Sequence, residues 1–259
     1  MIAIPDRSSN QLLAALPPAE WQQLEADVEW VALPQGAMLY EAGSELHHVH
    51  FPATAIVSLV SSMEDGAATE VAVVGNEGVV GVCAFMGGGR ALSGAQVQRS
   101  GHGWRMSAAS IAHHTERSAT VMQPMLRYTQ ALFAHLAQTS ACNRHHALEQ
   151  QLCRWLLLHV DRQSGNEIDV TQERIAGMLG VRREGVTGAA IRLQKAGLIR
   201  YGRGRIAIAD RGGLEERCCE CYSVIRRADD RLSSDSSLPR MPVPISGRHR
   251  SCAITSQAG

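Results

Sequence analysis

Nine basic side chains against three carboxylates fall within residues 171–211, a net of +6. Several of them are arginines on what reads as the outer face of a short helix or at the tip of a turn. A guanidinium holds phosphate oxygens, or the O6 and N7 edge of guanine, through two parallel N–H donors. Residues 1–120 have the opposite balance, five basic and twelve acidic, although the whole chain is neutral. A basic module beside an acidic one suits a duplex-binding unit joined to a unit that does not bind. Neutralising phosphates releases counterions and supplies most sequence-independent affinity. Only one of the basic residues is a lysine, Lys195; a genome-wide codon bias would give the same preference for arginine.

The stretch VTQERIAGMLGVRREGVTGAAIRLQKAGLIRYGRGRIAIA, from Val170 to Ala209, positions these charges. Thr171 caps a first helix, and Ile175, Ala176 and Leu179 form its inward stripe until Gly180 stops it. In a second helix Val186, Ala189, Ala190 and Leu193 turn inward, leaving Arg183, Glu184, Thr187 and Arg192 outside, before Gly197 ends it. Leu198 to Tyr201 and Arg205 to Ala209 then alternate like two short strands around Gly202-Arg203-Gly204. Small Ala176, Gly180 in the turn and branched Val186 suit the tight crossing of a helix-turn-helix, and the hairpin forms a wing with Arg203 at its tip. The candidate DNA contacts are Thr171, Gln172, Arg182 and Arg183, with Glu184, Thr187, Arg192 and Arg203.

Other chemistry-bearing groups are less organised. Cys142, His145 and His146 fall at helical spacing, Cys218, Cys219 and Cys221 lie close together, and HHVH at 47–50 alternates on a strand. None is a paired-ligand motif of the usual zinc kind, so core or solvated side chains and reduced thiols are expected, with no metal. Seven cysteines, an odd number without regular spacing, do not make a secreted disulfide framework. An enzyme is the competing class, motivated by the eleven histidines and the clustered cysteines. No Walker loop, Rossmann fingerprint, HExxH pair or nucleophile elbow supports it, and no catalytic residue is assigned.

Length allows two ordinary domains. The first residues, MIAIPDRSSN, lack a signal peptide's basic start and apolar centre, and no run reaches the ~18 apolar residues of a membrane span; a soluble cytoplasmic protein is expected. Between Val28 and Arg105, short apolar stretches at Val28–Leu33, His50–Val60, Glu70–Val74 and Ala95–Arg99 are punctuated by glycine, which predicts an antiparallel β-roll. From Thr120 to His145 the period becomes helical, with Met125, Tyr128, Leu132 and Leu136 on one stripe. A second helix is expected over His146 to Arg162. GLEERCCECYSVIRRADDRL reads as one more amphipathic helix on the winged unit, and residues 233–259, rich in Ser, Pro and Gly, as a disordered tail.

This order resembles the Crp/Fnr family of bacterial transcription regulators, most specifically in LGVRREGVTGAAIRLQKAGLI with its wing and more softly in LPQGAMLYEAGSELHHVHFPATAIVSL. The resemblance implies an α+β architecture: a cyclic-nucleotide-binding-like β-roll (12–119), a dimerisation helix (120–145) and a C-terminal winged helix-turn-helix (146–232). It implies a homodimer on a near-palindromic duplex site, with RNA polymerase as a further partner. Leu132 and Leu136 would lie near the dimer seam, which coiled-coil logic extends to Met125 and Tyr128; the alternative is that the stripe packs on its own β-roll. Arg183 and Glu184 stand where the family reads guanine and cytosine, whereas Gly188 takes the place of a long polar side chain one turn later. Gly185 and Gly188 together weaken that helix.

Cyclic-nucleotide binders of the family carry a glutamate for the ribose and an arginine for the cyclic phosphate. In this sequence the comparable turn, EGVVGVCAF, has Val79 and Val80 between Gly78 and Gly81, and Arg90 lies one residue from the expected position. The resemblance therefore implies a regulator not controlled by cyclic nucleotides, a cyclic-nucleotide-responsive one being the alternative, with its effector and any cofactor unassigned.

Overall fold

The computed structural model describes residues 6–202 and 204–234. Of the expected tail, 233–259, the first two residues belong to the last helix and residues 235–259 lie outside the described residues, as does Arg203. Two short helices, α1 (Gln11–Ala14) and α2 (Pro18–Leu24), lead into seven strands. These are β1 (Val28–Leu33), β2 (Met38–Tyr40), β3 (His48–Pro52), β4 (Ile56–Ser62), β5 (Ala68–Val74), β6 (Gly94–Arg99) and β7 (Gly101–Ser107). They form two antiparallel sheets, ordered β1-β7-β3 and β2-β6-β4-β5. The expected stretch His50–Val60 is thus two strands, parted by the turn Ala53–Ala55. Asn10, fully buried, ties the N-terminus to the roll: its Oδ1 accepts from Leu12 and Leu13, and its Nδ2 donates to the Pro52 and Gly78 carbonyls at 2.9 Å.

Hydroxyl caps start the next two helices. Ser107 accepts from Ser110 to open α3 (Ala108–Arg117), and Ser118 accepts from Val121 to open α4 (Ala119–His145). Val121, Met125, Tyr128 and Leu132 of α4 are buried among β-roll residues such as Phe51, Val57 and Val97. Met125 and Tyr128 are 0 % and 3 % exposed within a single chain. Burying a side chain of this size stabilises by roughly 1.5–3 kcal/mol, so these residues serve their own roll. Met125, Tyr128 and Leu132 are corrected accordingly: the inward stripe is intramolecular, and Leu136 is half-buried at its edge.

Helix α5 (Leu148–Asp161) belongs to the other core. With β8 (Glu167–Asp169), α6 (Gln172–Leu179), α7 (Arg183–Lys195), β9 (Ile199–Gly202) and β10 (Arg205–Ile208) it makes the winged helix. Its sheet runs β8-β10-β9, so the wing has a third strand that the sequence did not signal. Thr171 caps α6 through Arg174 N–H, and Gly180 ends it at φ +66°, where a β-carbon is disfavoured. The expected last helix is two: α8 (Arg211–Arg217) packs on α5, and α9 (Glu220–Ser234) lies mainly along α4. The break falls at Cys218-Cys219. Leu232 of α9 reaches the β-roll core, while Ile56 and Val73 of the roll join the winged-helix core, so the two units share packing.

Candidate nucleic-acid interface and sensor pocket

Helix α7 is presented by α5 and α6. Val186, Ala189 and Leu193 are fully buried, which turns Arg182, Arg183 and Glu184 at the N-terminal end into solvent. Arg183 faces Glu173 at 3.8 Å with both side chains exposed, a pairing weak enough to yield to a phosphate or base. Thr187 Oγ1 donates to Gln172 Oε1 at 2.6 Å, so two of the expected contacts brace α6 against α7. Arg192 is exposed and paired within the chain. Its Nε donates to Glu149 Oε2 at 2.6 Å, and Arg217 takes the other carboxylate oxygen at 3.0 Å, so Arg192 ties α7 to α5 and α8.

Geometry also separates the two glycines of α7. A β-carbon on Gly185 would lie 2.7 Å from Leu148 Cδ2, so the absent side chain lets α5 cross closely. Nothing approaches Gly188 closer than an ordinary 3.5 Å contact with Arg192, and α7 is continuous through both.

Between the β-roll and residues 129–143 of α4 lies a half-open pocket of about 500 Å³. Leu59, Val71, Met86, Leu132, Phe133 and Leu136 dominate its wall, and none of its lining residues is charged. Arg90 is exposed and donates to the Gly43 carbonyl at 3.0 Å. Val79 and Val80 are core residues, Val80 pairing with His50 across the roll. Gly78 is required by close approach, because a β-carbon there would sit 2.3 Å from the Tyr128 ring; Gly81, at φ +103°, is required by backbone conformation.

The carboxylate of this turn, Glu77, is committed elsewhere. Buried Arg162, at the end of α5, donates from Nε to Glu77 Oε1 at 2.7 Å and from Nη2 to Asp229 Oδ2 of α9 at 2.8 Å. Burial is the largest influence on Asp229 and pushes its carboxyl up to about 6, although Arg162 opposes the shift. Both acids hold the Arg162 guanidinium firmly charged against the cost of its burial. Nearby, buried Glu70 accepts from the Ser58 hydroxyl and faces His159 Nε2 at 3.5 Å. Roll and winged helix are therefore joined by buried polar contacts that no local pattern announced.

Sequence spacing also missed a convergence of thiols. Cys142 and His146, at the end of α4, meet Cys219 and Cys221, at the start of α9, although Cys142 and Cys219 are 77 positions apart. The hydrogen-bonding contact with Cys142 holds the Cys219 thiol well below the ordinary range and pushes Cys142 up. Neither cluster alone makes a ligand set; the fold brings their members together. His145 is exposed and outside the group. In the HHVH run, His48 and His50 do face the same way, with ring centroids 6.4 Å apart, but His50 is buried, and His47 is exposed on the other face.

A β-roll joined through a long helix to a winged helix-turn-helix defines a two-unit DNA-binding regulator. Residues 30–118 match the cyclic nucleotide-binding domain and residues 150–217 the Crp-like helix-turn-helix domain. Together these matches span more than half of the chain, and the chain belongs to the Crp/Fnr family of transcription regulators. Among solved structures, a Crp/Fnr-family regulator from Eubacterium rectale superposes with a TM-score of 0.63 at 17% identity, covering 81% of this chain and 98% of that one. FixK2 from Bradyrhizobium japonicum gives 0.63 at 17%, covering 74% and 98%. The c-di-GMP-responsive regulator CLP of Xanthomonas campestris gives 0.56 at 13%, covering 74% and 99%. At these identities the likeness is one of fold. No curated protein sequence matches the chain. Among the described residues no helix is long and apolar enough to cross a membrane.

Proposed function

We propose that the chain acts in the cytoplasm as a homodimeric, sequence-specific regulator whose α7 reads half of a near-palindromic duplex site, independently of cyclic nucleotides. The observation that carries this reading is the exposed N-terminal end of α7, where Arg182, Arg183 and Glu184 lie in solvent and Arg183 is held only by a weak exposed pairing with Glu173. Arg183 suits guanine O6 and N7, and Glu184 suits cytosine N4. Residues 12–119 serve as sensor, 120–145 as dimer helix and 146–232 as reader, with RNA polymerase as the partner for output.

Support for the dimer comes from the outer face of α4. Leu126, Gln130, Phe133 and Ala137 are exposed at alternating spacings of four and three, the pattern of a two-stranded seam. Leu126 and Phe133 are 49 % and 54 % exposed, apolar area that a partner helix would cover. Effector independence is supported by the uncharged cavity wall. A cyclic phosphate placed there would lose hydration without gaining a counter-charge.

Duplex binding with cognate and scrambled sites over a range of salt tests the reading. Arg183→Ala is expected to lose ~1–3 kcal/mol on the cognate site and to flatten discrimination, while Arg203→Ala weakens both duplexes alike. Phe133→Glu is expected to give monomers on sedimentation, and cyclic AMP or cyclic GMP to leave DNA affinity unchanged. Equal losses on both duplexes for Arg183→Ala would remove it from base readout, and a nucleotide-driven tenfold gain in affinity would overturn effector independence.

A further inference from the structure

Four potential ligand atoms, one each from Cys142, His146, Cys219 and Cys221, lie within 4.8 Å of one another. Cys142 Sγ and Cys219 Sγ are 3.6 Å apart, and Cys221 Sγ is 3.3 Å from His146 Nδ1. A tetrahedral zinc ion, with bonds of about 2.3 Å to sulfur and 2.0 Å to nitrogen, separates two thiolates by about 3.8 Å and a thiolate from an imidazole by about 3.5 Å. The spacings fit one ion. An iron–sulfur cluster would spread four ligands over more than one metal atom, leaving some pairs farther apart than these.

The surroundings are those of an anionic metal centre. His146 turns its other nitrogen, Nε2, to Glu220 Oε1 at 3.4 Å, the carboxylate partner that orients a ligating imidazole. Gln138 Nε2 donates to Cys221 Sγ at 3.0 Å, a contact suited to thiolate charge. Arg154, 4 % exposed, lies against the same stretch of α4, donating only to neutral acceptors, Thr139 Oγ1 and Asn143 Oδ1, while its Nε has no partner among the described residues. Three thiolates around a divalent ion leave one net negative charge, the complement this buried cation otherwise lacks.

We propose that Cys142, His146, Cys219 and Cys221 bind a single thiophilic divalent ion of the zinc class, clasping the end of the α4 helix to the start of α9. Cys218 is outside the clasp, its Sγ directed to the Gln150 carbonyl at 3.8 Å. Ligation displaces the thiol protons to solvent and changes no oxidation state. Because the ion bridges the dimer helix and the last helix of the reader, occupancy stabilises that junction.

The test uses the full chain, reduced and stripped with a chelator, titrated with Zn²⁺ and with Co²⁺ as a spectroscopic probe. One equivalent per chain is expected, with the intense visible bands of tetrahedral thiolate-bound Co²⁺, displacement by Zn²⁺ and a raised Tm. Cys142→Ser and Cys219→Ser should abolish the tetrahedral spectrum, Cys218→Ser should retain it, and Glu220→Gln should weaken binding about tenfold. Should the serine variants misfold, the near-ultraviolet sulfur-to-metal charge-transfer band of the Co²⁺-loaded native chain decides the matter, since its intensity should correspond to three thiolates. Failure of the reduced, folded chain to bind, an octahedral Co²⁺ spectrum, unchanged binding by folded Cys142→Ser, or iron with acid-labile sulfide would each overturn the proposal.

Discussion

In the β-roll a β-carbon on Gly78 would lie 2.3 Å from the Tyr128 ring, and one on Gly103 would lie 2.6 Å from the Phe51 carbonyl oxygen; on Gly188 of α7 it would meet open space out to 3.5 Å. Charge divides the two regions in the same way. Glu70 and Glu77 of the roll are 8 % exposed and spent on internal partners, whereas Arg182, Arg183 and Glu184 of the reader stand in solvent. Gly78, Gly103, Glu70 and Glu77 serve the roll's own packing, while Gly188 and the three charges at the start of α7 leave a surface free for something else. A sequence can look equally glycine-rich in both places for opposite physical reasons.

Removing Arg162 should break this contrast most severely, because its loss leaves Glu77 and Asp229 buried without a counter-charge. Arg162→Met is expected to cost ~3–5 kcal/mol in denaturant unfolding. A loss comparable to that of an exposed pair such as Arg205 with Asp169 would show that the junction opens to water in solution. Next comes Gly78→Ala, expected to cost ~1–3 kcal/mol, since Tyr128 is packed too tightly to retreat. A neutral result would place Tyr128 elsewhere.

Acid should weaken the fold through buried histidines. Burial, the largest influence, lowers His50 from 6.5 to about 4, with help from His48 and Arg105; burial and then the charges of Arg162 and Arg154 hold His135 well below its ordinary value. Both are neutral when folded and protonate first in the unfolded chain. Stability is therefore full above pH 6.5 and falls as the pH drops toward 4, by at most about 1.4 kcal/mol per unit for each histidine. Asp229, raised to about 6, opposes them, because its folded form gains a proton first as pH falls. Two groups against one leave a net loss. Unfolding free energies measured between pH 7.5 and 4.5 would refute this if they rose toward acid.

Smallest and opposite in sign is Gly188→Ala. With room for the methyl group, it should stabilise by about 1 kcal/mol through helix propensity, whereas Gly185→Ala forfeits that gain by displacing Leu148. Equal responses in thermal unfolding would erase the distinction drawn between the two glycines.

Contiguity accounts for what the sequence determined by itself. The cap at Thr171, the stop at Gly180, the inward Val186, Ala189 and Leu193 and the two wing strands all lie within forty positions, so local periodicity and capping specify them. The roll was legible as alternating strands with turns for the same reason. Tertiary structure alone decided which face of α4 is inside. Met125, Tyr128 and Leu132 share a helical stripe that satisfies a seam and a core equally well, and only the roll's position commits them to the core. It also decided that Arg192 turns to Glu149 and that Glu77 meets Arg162. Cys142 and His146 converge with Cys219 and Cys221 because α9 folds back along α4. Those contacts depend on the spacing of elements in three dimensions, which no local period of the chain encodes.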